Sequence, residues 1–205
     1  MATKKNPVII TPDDCRAFWA YTAKKEGFEV IEKATAEEMQ AIAWALKSFG
    51  GDKNWMTRYT LTLGNRVYVP FRIGSGSNMS RIHQVCTCPH EGQHVRQYRR
   101  NPPVFAVNYV FNDAARTHYE ADAYAVTMEM YFYLTGQVLA PGTLANKLKG
   151  YYVDKADIYV CKKHLTARAA LVRHGVITSG ISKQSIRWWN RRLRDKGPTP
   201  AKVYL

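Results

Sequence analysis

Two histidines four residues apart, with a glutamate directly after the first, are the residues of this chain best suited to chemistry: His90-Glu91-Gly92-Gln93-His94. On an α-helix, positions four apart lie on one face, about one turn apart. Both imidazoles can then reach one metal ion from the same side. Glu91 sits beside the first ligand and can aim at a water on the metal instead of at the metal. Neutral imidazole ligands, an open coordination position and a carboxylate to take the proton of water are the parts of a zinc hydrolase site. The setting sharpens the reading, because Glu91 is the only acidic residue between positions 53 and 112. A lone carboxylate in an acid-free stretch does not read as a solvated helix face.

Such a site needs a third ligand. The next segment bearing carboxylates is Arg116-Thr117-His118-Tyr119-Glu120-Ala121-Asp122-Ala123-Tyr124-Ala125. Glu120, 26 residues beyond His94, is favoured, with Asp122 and His118 as rivals. The gap suits a helix, a loop through Pro102-Pro103 and a return helix. Ala121, Ala123 and Ala125 would let the two helices approach closely. A donor for a developing oxyanion is also wanted. Tyr124, four residues after Glu120 on the same face, is the candidate taken forward; Tyr119, Arg116, His118 and Tyr109 are the others.

Together, His90-Glu91-x-x-His94 and Glu120-Ala121-Asp122-Ala123 resemble a gluzincin-type zinc metallopeptidase. The chain is similar to the small zincin domains of ImmA/IrrE type and to short zincin-like proteins encoded by tailed phages. The strings Tyr119-Glu120-Ala121-Asp122-Ala123-Tyr124 and His94-Val95-Arg96-Gln97-Tyr98 are most like the phage proteins. The likeness spans roughly residues 35–135. It implies a minimal zincin fold, Zn2+ on His90, His94 and Glu120, and Glu91 as general base in amide hydrolysis. It implies a peptide, protein or peptidoglycan substrate and, for a phage protein, virion partners. The alternative function is a nucleic-acid-binding or virion-associated structural protein that keeps a zincin core with little catalysis.

The elements that must position these residues follow from local signals. Thr11-Pro12-Asp13-Asp14 starts a helix that runs to about residue 25 and stops at Gly27. Residues 28–32 read as a short strand. Thr35-x-x-Glu38 has capping-box spacing; Met39, Ile42, Ala43, Leu46 and Phe49 then recur at helical period until Gly50-Gly51. Residues 57–63 and 66–73 flank Gly64-Asn65 and predict a β-hairpin. Gly74-x-Gly76 reads as a loop. The patterns predict helices over about 80–100, closed by Asn101-Pro102-Pro103, and over 113–134, ended by Gly136. Two more follow over 154–174 and 182–195. Pro89 implies that the metal-site helix begins near Cys86 or kinks there. Gly92 costs it about 1 kcal/mol relative to Ala. The expected class is α+β with a small antiparallel sheet, an active-site helix, a third-ligand helix and basic C-terminal helices. The expected organisation is an N-terminal helical segment (1–34), a zincin-like domain (35–150) and a basic helical extension (151–205).

Composition sets the bounds. In 205 residues, 46% are hydrophobic and 22% charged, which excludes a disordered or collagen-like chain. No apolar run approaches the roughly 20 residues of a membrane helix. Val8-Ile9-Ile10 is too short for the apolar part of a secretion signal, so the expected location is cytoplasmic or virion-associated. The net charge is +14, and residues 151–205 hold 12 basic and 3 acidic groups, +9 of it. A polyanion or nucleic acid is therefore an expected partner of the C-terminal region. There Ile186-Arg187-Trp188-Trp189-Asn190-Arg191-Arg192-Leu193-Arg194 offers arginines for phosphates and tryptophans for bases; its bland reading is a helix anchored by Ile186, Trp189 and Leu193. Cys15, Cys86, Cys88 and Cys161 are too few for a disulfide scaffold and read as buried thiols. Two other zinc sets are open: Cys86, Cys88, Cys161 and His164, or Cys86, Cys88, His90 and His94.

Overall fold

Helix α1 (Pro12–Glu26) shows how closely local chemistry sets the first element. The Thr11 hydroxyl accepts from the Asp14 N–H and donates to its carboxylate, Pro12 fills the first turn, and Gly27 ends the helix at φ +64 with its N–H on the Ala23 carbonyl. The computed structural model describes residues 8–48, 54–151, 153–194 and 200–205. The order continues with β1 (Glu29–Glu32), a 3₁₀ turn (Lys33–Thr35), α2 (Glu37–Ser48), α3 (Trp55–Arg58), β2 (Leu61–Leu63) and β3 (Arg66–Val69). Then come α4 (Arg81–Arg100), α5 (Pro102–Phe111), α6 (Asp113–Thr135), α7 (Pro141–Ala145), a 3₁₀ segment (Asn146–Tyr151), α8 (Lys155–Arg173) and α9 (Gly180–Leu193).

The class is α+β, mostly helical, but the sheet is mixed and not antiparallel throughout. β2 and β3 form the expected hairpin, with Thr62 opposite Val67. β1 lies on the other side of β3 and runs parallel to it, Val30 opposite Val67 and Glu32 opposite Val69. The reason is connectivity: the chain crosses through α2 and α3 between β1 and the hairpin, and a helical crossover permits a parallel return. The hairpin arms are shorter than expected, since Trp55–Arg58 is helical. β3, flanked on both sides, is buried on both faces. Val67 and Val69 enter the main core, and Tyr68 packs with Ala36 and Met39 of the α2 side.

Three local expectations need correction. Thr35 does not cap α2: residues 33–35 wind into the 3₁₀ turn, the Thr35 hydroxyl bonds the Glu32 carbonyl at 3.0 Å, and the Ala36 carbonyl receives the first helical N–H groups. Helix α4 spans Arg81 to Arg100, capped by Ser80, as the expected 80–100 span has it, and runs through Pro89, so of the two alternatives for Pro89 the start near Cys86 falls. Pro102-Pro103 opens α5 where a loop was expected, because proline is as acceptable in a first turn as it is disruptive in a middle one. The stop at Gly50-Gly51 and the side chains of Leu46 and Phe49 lie outside the described residues.

α4 runs between α1 and α6. The main core joins Phe18, Trp19, Val85, Cys86, Cys88 and Trp189. A second core, with Met128, Leu148, Leu165 and Ala169, fills the space between α6, α7 and α8. Cys86 and Cys88 lie in the first and Cys161 in the second, all as free thiols. Neither cysteine-containing zinc set is therefore assembled. Ile186, Trp189 and Leu193 anchor α9, and Trp188 packs on Phe18 and Tyr21. The aromatics of the Arg-Trp stretch are thus used in packing, while Arg187, Arg191 and Arg194 are exposed. Among the described residues no helix is long and apolar enough to cross a membrane.

Candidate metal centre

Helices α4 and α6, which pack against each other, carry the residues singled out above. His90 and His94 share one face of α4, with ring centroids 5.0 Å apart. Glu120 of α6 faces both. Its Oε1 lies 3.4 Å from His94 Nε2, and its Oε2 lies 3.9 Å from His90 Nε2. One ligand atom from each residue falls within 4.8 Å of the others. Among the described residues no other histidine, cysteine or carboxylate group meets that test.

Hydrogen bonds set the tautomers. Gln97 donates its amide N–H to the Tyr119 carbonyl at 3.0 Å, which turns its Oε1 toward His94. That oxygen can only accept, so the 2.9 Å bond to His94 Nδ1 places the proton on Nδ1. Likewise, the Thr127 hydroxyl donates to the Ala123 carbonyl at 3.3 Å and faces His90 Nδ1 at 3.0 Å with a lone pair. Both Nε2 atoms then carry lone pairs and point at Glu120. Partners of this kind orient metal-binding imidazoles and raise their basicity.

The electrostatics agree. Burial, aided by the neighbouring His94, holds His90 well below the ordinary histidine range, so it is neutral as a ligand must be. Glu120 is almost fully buried; Tyr109 donates to its Oε1 at 2.5 Å, yet its Oε2 has no hydrogen-bond partner. Two imidazole lone pairs facing a carboxylate that has the Tyr109 phenol as donor to one oxygen and none to the other leave more acceptors than donors. A divalent cation satisfies all three atoms, and the mixed nitrogen and oxygen set suits zinc.

Glu91 stands outside the ligand cluster, as a base should. It lines a cleft of about 500 Å³ together with His90, Tyr124 and Thr127. Thr62 of β2 donates to its Oε2 at 2.7 Å. Burial pushes its carboxyl above the usual range, against the pull of His94 and of the Thr62 bond. The buried Lys33 lies within electrostatic reach of Glu91 and is itself lowered by burial to about 8.

The other sequence candidates divide. Tyr124 is buried with its ring 5.3 Å from that of His90 and lines the cleft. Tyr109 sits on Glu120. Asp122 and His118 are not brought to His90 and His94: they face α8, where Asp122 lies 3.8 Å from His164. Arg116 bonds the Tyr109 and Val110 carbonyls and pairs with Asp113, so it closes the end of α5. Tyr119 packs on Phe105.

Sequence reasoning passed over Thr62, Gln97, Thr127, Lys33 and Lys147. Thr127 had a signal, since Glu120, Tyr124 and Thr127 share a helical stripe. Gln97 stood one turn after His94. Thr62, Lys33 and Lys147 had none, because only tertiary folding brings them near. No protein family, curated protein or solved structure matches the chain.

Proposed function

We propose that the protein is a zinc-dependent hydrolase of amide bonds, a metallopeptidase of minimal zincin type. The observation that carries the reading is the buried Glu120 carboxylate: its two oxygens face the two imidazole nitrogens, whose protons are held on the far side of each ring, and its Oε2, on the His90 side, has no hydrogen-bond partner. His90, His94 and Glu120 would hold Zn2+, which when bound supplies a Lewis acid and lowers the pKa of a coordinated water. Glu91 is the general base. It sits one residue from a ligand, opens on the cleft, and is oriented by the Thr62 hydroxyl. Its raised pKa makes it a stronger proton acceptor than an exposed glutamate and a competent donor to the leaving amine. Tyr109 holds one oxygen of Glu120 in place, and Tyr124 packs beside His90 where a substrate carbonyl would lie.

The test combines metal analysis with cleavage of an unstructured protein such as casein. The purified protein is expected to carry about one zinc and to lose cleavage on chelation. Glu91→Gln keeps the metal and loses about 10²- to 10⁴-fold in turnover, the usual contribution of a general base. Full turnover in Glu91→Gln removes the mechanism. A zinc-loaded protein that cleaves nothing but binds DNA with strong salt dependence favours the alternative, a nucleic-acid-binding or virion-associated protein using the exposed arginines of α9.

A further inference from the structure

The cleft beside the three ligands is one-sided in charge. Of the described residues that line it, Glu91 is the one acid, whereas Arg58, Lys147 and Lys149 are exposed cations. Lys147 and Lys149 lie in the 3₁₀ segment Asn146–Tyr151, which the fully buried Leu148 pins to the second core. Among the described residues neither lysine has a carboxylate within ion-pair contact, although Glu120 and Glu91 attract Lys147 from across the cleft. The Lys147 amine sits 5.8 Å over the ring of Tyr124, and that ring lies against His90. It is therefore about one side chain away from a metal ligand. Lysines without a contact carboxylate in a cleft with low-dielectric walls focus the field on whatever enters. A cavity of about 500 Å³ takes a short peptide segment and is too small for a duplex.

Resting on the hydrolase reading, we propose that the cleft selects peptides carrying a carboxylate within a residue or two of the scissile bond, with Lys147 and Lys149 as the specificity-determining groups. The carboxylate comes from an Asp or Glu side chain or from the substrate's own C-terminus. Binding is read in zinc-loaded Glu91→Gln protein, so that nothing is cut. The probes are fluorescein-labelled hexapeptides with Glu, Gln or Lys on both sides of the central bond and an amidated C-terminus. A fourth probe has Gln and a free C-terminal carboxylate.

The Glu peptide is expected to bind about five- to tenfold more tightly than the Gln peptide, the worth of one or two partly screened charge pairs. The Lys peptide should be weakest. Lys147→Glu/Lys149→Glu should invert the order, and Lys147→Gln/Lys149→Gln should flatten it, both with unchanged metal content and melting temperature. A gain confined to the free-carboxylate peptide assigns the group to the substrate's terminus and upholds the proposal. Equal binding of all four probes overturns it, as does a preference that survives both double variants. It also fails if a DNA oligonucleotide displaces the Glu peptide and the variants lose DNA binding in its place. Failure of the hydrolase reading looks different: wild type binds the Glu peptide selectively and never cuts it.

Discussion

Buried carboxylates occur in two parts of this molecule, and they are treated in opposite ways. In the frame, Glu26 accepts two bonds from Arg96 at 2.6 and 2.7 Å and a third from Gln184. Asp14 pairs with Arg192 at 2.8 Å and with Thr11. Glu129 gathers the Thr178 and Ser179 N–H groups and the Thr178 hydroxyl at the start of α9. In the α4–α6 seam, Glu120 has one phenol, two imidazoles without protons toward it, and an oxygen with no partner. Glu91 has one threonine hydrogen bond and the more distant attraction of Lys33. A buried charge costs several kcal/mol unless it is paired. The frame meets that cost inside the chain, tying α1 to α4 and α9. The seam leaves part of it unmet within the chain, the condition the proposed metal site would relieve.

The contrast can be broken in order of expected size. His94→Ala should take bound zinc from about one equivalent to none by elemental analysis, and chelation of the wild type should lower its stability by about 4 kcal/mol if zinc was present at a thousandfold over its Kd. Next, in metal-free protein under urea, Glu26→Gln should cost about 2–3 kcal/mol by stranding Arg96. Glu120→Gln should cost less than about 1 kcal/mol or stabilise, since it removes an unsatisfied charge. Equal losses in the two variants would erase the distinction between frame and seam.

The four buried thiols sharpen the comparison by pH. Burial raises Cys15 from 9.0 to about 11 and Cys161 to about 12, and it raises Cys86 and Cys88 as well. A group raised by folding contributes stability that is whole below its unfolded pKa and is lost as pH climbs through the folded value. The urea midpoint in reducing buffer is expected to fall from about pH 9 upward. Lys33, lowered to about 8, and Lys147, also lowered, work in the opposite sense, while Tyr109, Tyr124, Tyr133 and Tyr151, raised in the fold, add to the thiols. Cys86→Ala should flatten the decline. The smallest effect belongs to Gly92→Ala. A Cβ there would meet Ile181 Cδ1 at 2.7 Å, so α9 packs against α4 where the glycine lacks a side chain. Helix propensity favours Ala by about 1 kcal/mol, and repacking Ile181 costs a similar amount. Chemical denaturation should find a net change within about 1 kcal/mol.

Glycine 92 also marks where reading a single chain reaches its limit. As a residue in a helix it registers only as a weakness; its reason is a side chain 89 positions away. The long helices α4 and α6 were legible because caps, breakers and the 3.6-residue period act within a few residues. The histidine pair was legible for the same reason, and Glu120 with it once α6 was in place. α5 was misread because two prolines that open a helix look, locally, like two that end one. With α5 missed, Tyr109 could be proposed only as one donor among several.

Residue types and short spacings singled out the histidine pair, the glutamate between them, the helices that carry them and the concentration of positive charge toward the C-terminus. Tertiary packing set Glu120, already favoured by position, against the two histidines and turned its rivals Asp122 and His118 toward α8. It also turned β1 parallel to β3, set Thr62 on Glu91, and spent the tryptophans of α9 on the core. The division has one physical cause. Backbone hydrogen bonding and capping act over three or four residues, while burial, pairing of charges and cleft walls are made by segments tens of residues apart, whose meeting no local pattern encodes.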